Sequence, residues 1–184
     1  EELAADAGTG LVVDGLRFFA ERTWGVRTCI PAVGLGAEPV EGTIPEFFGH
    51  VSFERTGEDE DPGDLTVTAD YTDVTAAENP DWQMDLNDDV VGEWRADGGR
   101  GGEVTLIWGT PLVRGALAAT AELDGEVIDQ AAVNDGRFTL MAVDAVHGFG
   151  DELFLEVRLW NRRLQELAAE SLYAEADDED EAQR

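Results

Sequence analysis

At 184 residues, with 43% hydrophobic residues that include five Trp and eight Phe, the chain has enough apolar mass to bury a core, which excludes a disordered protein. Its 41 Asp and Glu against 12 Arg and no Lys give a formal net charge of -29, which excludes binding nucleic-acid phosphates or anionic lipid heads by charge. A single cysteine, Cys29, excludes an internal disulfide, and no apolar run is long enough to span a bilayer as a helix.

Residues 1–10 are small and polar and read as an N-terminal arm; no basic-then-apolar leader opens the chain. From Leu11 onward, short apolar segments alternate with Gly, Pro, Asn and Asp, the rhythm of an all-β sandwich or barrel. The expected strands are 11–20, 24–30, 40–54 in two pieces, 64–72, 82–86, 90–96, 103–109, 112–122, 125–132, 137–146 and 152–160. In 64–71, Leu65, Val67 and Ala69 form one apolar face. In 152–160, Leu153, Leu155, Val157 and Leu159 face one way, with Glu156 and Arg158 opposite. Asp124-Gly125 and Asn134-Asp135-Gly136 read as tight turns, and 97–102 as a flexible connection. The three- and four-residue spacing of Leu164, Leu167, Ala168 and Leu172 predicts a short C-terminal helix over about 162–172. Residues 173–184 form an acidic tail, and no linker divides 11–172, which predicts one domain.

The residues that carry chemistry are sparse. Neither Ser52 nor Ser171 lies in a nucleophile elbow, and Cys29 sits in the strand-like run Val26–Ile30, where it reads as a small buried hydrophobe. His50 and His147 have no third residue at ligand spacing. There is no Lys for a Schiff base and no phosphate-binding glycine loop. These features predict a protein that is not an enzyme, with no resident cofactor. Two acidic segments, 58–64 and 85–89, offer hard oxygen ligands through Asp59, Asp61, Asp64, Asp85, Asp88 and Asp89, as weak candidates for Ca²⁺, Na⁺ or K⁺. Neither has EF-hand spacing, and a solvated loop is the plainer reading.

Large aromatics on the outer face of a strand predict contact with another chain. Phe154 and Trp160 occupy that position on 152–160, and Arg158, Arg162 and Arg163 beside them are suited to bidentate pairing with carboxylates, as are Arg17, Arg22 and Arg114.

An evenly acidic, Lys-free surface repels itself in dilute solution. At about 1 M salt the Debye length falls to about 3 Å and the repulsion is screened. The composition resembles that of proteins from extreme halophiles; its even spread argues against a local nucleic-acid mimic. In size, charge and strand rhythm the chain also resembles the smaller major capsid protein of halophilic icosahedral viruses with an internal membrane. That resemblance implies a single vertical β-barrel, or jelly roll, with extended terminal arms. It also implies a larger companion capsid protein, pseudo-hexameric capsomers and a place in the virion shell, with 1–10 and 173–184 tying subunits together. No nucleic-acid contact or membrane insertion is expected. The alternative on composition alone is a secreted or cell-surface β-sandwich of a halophile, used for adhesion or carbohydrate binding.

Overall fold

The computed structural model describes residues 13–39, 42–55, 61–97, 99, 101–143 and 155–172. The strands in chain order are β1 (Val13–Phe18), β2 (Arg22–Trp24), β3 (Arg27–Gly36), β4 (Glu46–Glu54), β5 (Gly63–Thr72), β6 (Met84–Arg95), β7 (Gly101–Pro111), β8 (Ala118–Leu123), β9 (Glu126–Ala132), β10 (Phe138–Val143), β11 (Leu155–Trp160) and β12 (Glu166–Ser171). All pairings are antiparallel. A front sheet runs β1-β3-β4-β5, with β2 also on β3; a central sheet runs β10-β7-β6; a back sheet runs β12-β11-β8-β9.

Side-chain alternation on β7 explains how the sheets stack. Val104, Leu106 and Trp108 point to one face and Ile107 to the other, and all four are fully buried. The first three pack with Phe19, Cys29 and Val33 of the front-sheet region. Ile107, with Phe138, Leu140 and Ala142 of β10, packs against Ala119, Ala121, Leu155, Val157 and Leu159 of the back sheet. The central sheet is thus covered on both sides, which is why β7 and β10 read as largely apolar runs. Between β7 and β10, the chain detours through the β8–β9 hairpin into the back sheet.

Local chemistry fixes the turns. Asp124 and Gly125 adopt φ of 51° and 78°, and Asp135 and Gly136 adopt 50° and 73°, as the two turn motifs require. Gly109 is demanded by packing: a Cβ there would stand 2.7 Å from the Asp85 carbonyl and 2.8 Å from the Phe138 ring.

Four sequence expectations are corrected. The C-terminal helix is absent: residues 162–165 form a turn and 166–171 are β12, pinned to β11 through Leu159↔Ala168 and Arg158↔Ala169. The acidic segment 85–89 is no loop; it joins the expected 82–86 and 90–96 strands into continuous β6, laddered along β7. The expected 112–122 strand begins only at Ala118. The apolar face of β5 turns away from the central sheet, leaving Leu65 62% exposed. The terminal segments 1–10 and 173–184 lie outside the described residues.

Candidate functional site

The outer face of the back sheet carries a compact polar network. The β8–β11 register sets Arg158 opposite Thr120, and Glu156 opposite Glu122. Opposed residues share a face, so one guanidinium meets several carboxylates. Arg158 Nη2 donates to Glu156 Oε2 and Nη1 to Glu166 Oε2, each at 2.6 Å. Its Nε faces the buried Glu122 Oε2 at 3.1 Å, an ionic contact without hydrogen-bond alignment. Hydrogen bonds to Glu156 and then Glu166 push the Arg158 pKa above its ordinary value. Beside it, Trp160 Nε1 donates to Thr120 Oγ1 at 2.8 Å, and Thr120 Oγ1 donates to Glu122 Oε1 at 2.9 Å. Trp160 and Arg158 do lie on the face opposite the aliphatic residues, but both spend their polar groups within the chain.

Arg162 and Arg163 are exposed in the β11–β12 turn. Asn161 builds that turn: its Oδ1 accepts from the Arg163 and Gln165 amides at 2.8 and 3.1 Å. Leu164 sits at φ 56° and is 83% exposed. Phe154 lies outside the described residues.

The cation candidates do not converge. Asp61 is exposed before β5, while Asp64 accepts from Arg27 Nη2 at 2.5 Å. Alternation along β6 sends Asp85 and Asp89 toward the front sheet and Asp88 toward the back. Asp59 lies outside the described residues, among which no group of three or more His, Cys, Asp or Glu is arranged to hold a metal.

A site the sequence reading missed lies between the front and central sheets. Glu46 and His50, both buried, project inward from β4. His50 Nδ1 stands 3.3 Å from Asp89 Oδ2, and Arg17 Nη2 is 3.8 Å from Glu46 Oε2. Burial, reinforced by the nearby Asp85 charge and opposed by Arg17, pushes the Glu46 carboxyl up to about 7. Burial also raises Asp85, against Arg17. The available signal was the period-two spacing of Glu46, Phe48 and His50, which puts polar groups on the inward side. Cys29 is buried and free, and desolvation raises its thiol pKa.

A groove of about 480 Å³ runs beside β10, bordered by Phe18, Arg22, Asp135, Arg137 and Thr139. Its two guanidiniums act as braces: Arg137 Nη1 donates to the Phe18 carbonyl at 2.7 Å, and Arg22 Nε to the Thr139 carbonyl at 3.0 Å.

No known protein family, curated protein or solved structure matches this chain. Among the described residues, no helix is long and apolar enough to cross a membrane.

Proposed function

We propose that this chain is a non-catalytic building block that associates with other subunits in high salt. We further propose that it serves as the smaller major capsid protein of a halophilic virus with an internal membrane. In that role it assembles with a larger single-β-barrel companion into pseudo-hexameric capsomers of the virion shell.

The observation that carries this reading is β5. It lies at the edge of the front sheet and turns Leu65, 62% exposed, and Tyr71, 44% exposed, to the outer face. A long edge strand with an apolar outer face favours contact with another chain. On a chain of charge -29, such contact requires screening, and molar salt supplies it. The jelly-roll form implied by the resemblance has two sheets. The described strands of this chain pair as three sheets, so the jelly-roll form is here a proposal for the arrangement of the central and back sheets, with the front sheet as an added layer.

A carbohydrate-binding face would need several coplanar exposed Trp. Trp108 is instead fully buried, Trp160 is hydrogen-bonded to Thr120, and Trp24 and Trp82 are 37% and 38% exposed on different segments.

Sedimentation in about 3 M KCl tests the proposal. Hexameric or larger species, alone or with a companion subunit, are expected. A monomer at every concentration and in every mixture contradicts it.

A further inference from the structure

The two ends of the back sheet carry opposite charge. At one end β8 and β12 begin and β9 and β11 finish, joined through Ala118↔Ala132, Trp160↔Ala118 and Trp160↔Glu166. Three segments meet there, 112–117, 133–137 and 161–165. The Leu117 amide donates to the Trp160 carbonyl at 2.8 Å, and the Val133 amide to the Leu117 carbonyl at 2.9 Å. Together they hold Arg114, Arg137, Arg162 and Arg163 against Asp135 and, at the start of β12, Glu166, which Arg158 already pairs. In a chain whose acids outnumber its bases 41 to 12, this is a sharp local inversion. Arg114, Arg162 and Arg163 are exposed and have no ion-pair partner among the described residues.

The apolar side chains there are also outward. Leu112 and Leu117 are 42% and 45% exposed, and Leu164 projects from the Asn161-built turn in the left-handed region. A branched residue in that conformation is strained, and so exposed a side chain recovers little by packing within its own chain.

The opposite end is acidic. The β8–β9 turn places Asp124 and Glu126 beside the start of β11, through Leu155↔Leu123. β12 finishes at the same end, through Glu156↔Ser171.

We infer that the Arg114–Arg162–Arg163 end is a docking surface for the acidic end of a second copy of this chain. Resting on the building-block reading above, the inference adds which surfaces meet and in what sense. Guanidinium–carboxylate pairs supply direction, and Leu112, Leu117 and Leu164 supply apolar contact. Because unlike surfaces meet, the contact is head-to-tail and closes into a ring when its rotation permits. Molar salt weakens the long-range repulsion between copies more than it weakens charge pairs in direct contact.

Charge reversal of the full chain, read by sedimentation velocity in about 3 M KCl, tests this. Arg162→Glu with Arg163→Glu is expected to lower the self-association constant by more than about tenfold. Arg55→Glu with Arg95→Glu, equal in added charge but elsewhere, is expected to change it less than about threefold. A further variant, Asp124→Arg with Glu126→Arg, is expected to associate poorly alone and to recover association when mixed with Arg162→Glu, Arg163→Glu. If the Arg162/Arg163 variant associates like the parent, or no more weakly than its charge-matched control, this docking is overturned while the building-block reading stands. A parent chain that stays monomeric even with a companion subunit overturns both.

Discussion

The guanidinium of Arg22 lies 2.8 Å from the carboxylate of Asp129, although their strands belong to the front and back sheets of a three-sheet stack. They meet around the open edge of the central sheet. Asp129 Oδ2 accepts the Met141 amide at 2.7 Å, and Arg22 donates to the Thr139 and Gln130 carbonyls. Side chains thereby satisfy the β10 edge where a further strand would otherwise pair, and one ion pair ties three sheets together.

Removing this clasp should cost more than an ordinary surface ion pair. Asp129→Ala strands the Met141 amide and leaves Arg22 without its carboxylate, and a loss of about 2 kcal/mol is expected, against about 0.5 kcal/mol for an exposed pair such as Arg95–Glu93. Urea unfolding at fixed high salt measures it. Equal effects at the two sites would show that the clasp is incidental.

Arg158 and Glu122 should be strongly coupled. With Arg158→Met, the buried Glu122 keeps only Thr120, and about 2–3 kcal/mol of stability should be lost. Adding Glu122→Gln removes the stranded charge and should restore at least about half of that loss. Additive losses in the double-mutant cycle would contradict the network.

Glu46 predicts a pH dependence. Its folded pKa, pushed up to about 7, stands above the ordinary glutamate value, so between about pH 4.5 and pH 7 the folded state binds more protons than the unfolded. Its contribution is therefore complete below that window and is lost as pH rises through about 7, by at most about 3 kcal/mol. Glu46→Gln should flatten this part of the stability curve; thermal melts from pH 5 to 8 at constant salt, about 3 M, check it. A parent slope that survives the substitution would assign it elsewhere.

Relief of the Leu164 strain gives a fourth expectation. Leu164→Gly should raise stability by up to about 1 kcal/mol, since glycine adopts φ 56° freely, while weakening self-association. Differential scanning calorimetry and sedimentation on one sample read both. Improved association would place Leu164 outside any contact.

The strand rhythm and both Asp/Gly turns were legible because their signals are local. Leu155, Val157 and Leu159 alternate with Glu156 and Arg158, and they do face the core. Where tertiary pairing overrode local preference, the reading failed. Asp85-Leu86-Asn87-Asp88-Asp89 looks like a loop because Asp and Asn are poor strand formers, yet eleven-residue β7 holds it in register. Leu164, Leu167 and Ala168 mimic a helical stripe because a turn and a register shift near Trp160 fall between them. The Glu46–Asp85 neighbourhood joins β4 to β6 across two sheets, and no sequence spacing encodes that. The clasp from Arg22 to Asp129 spans 107 positions and is equally invisible.

In the proposed assembly, dissolved ions allow acidic copies to pack side by side. The most direct test is light scattering of assemblies dialysed from about 3 M to about 0.1 M KCl, as the Debye length grows to about 10 Å. Particle mass is expected to fall to that of separate subunits as the salt is removed. Particles of unchanged mass at low salt would contradict it.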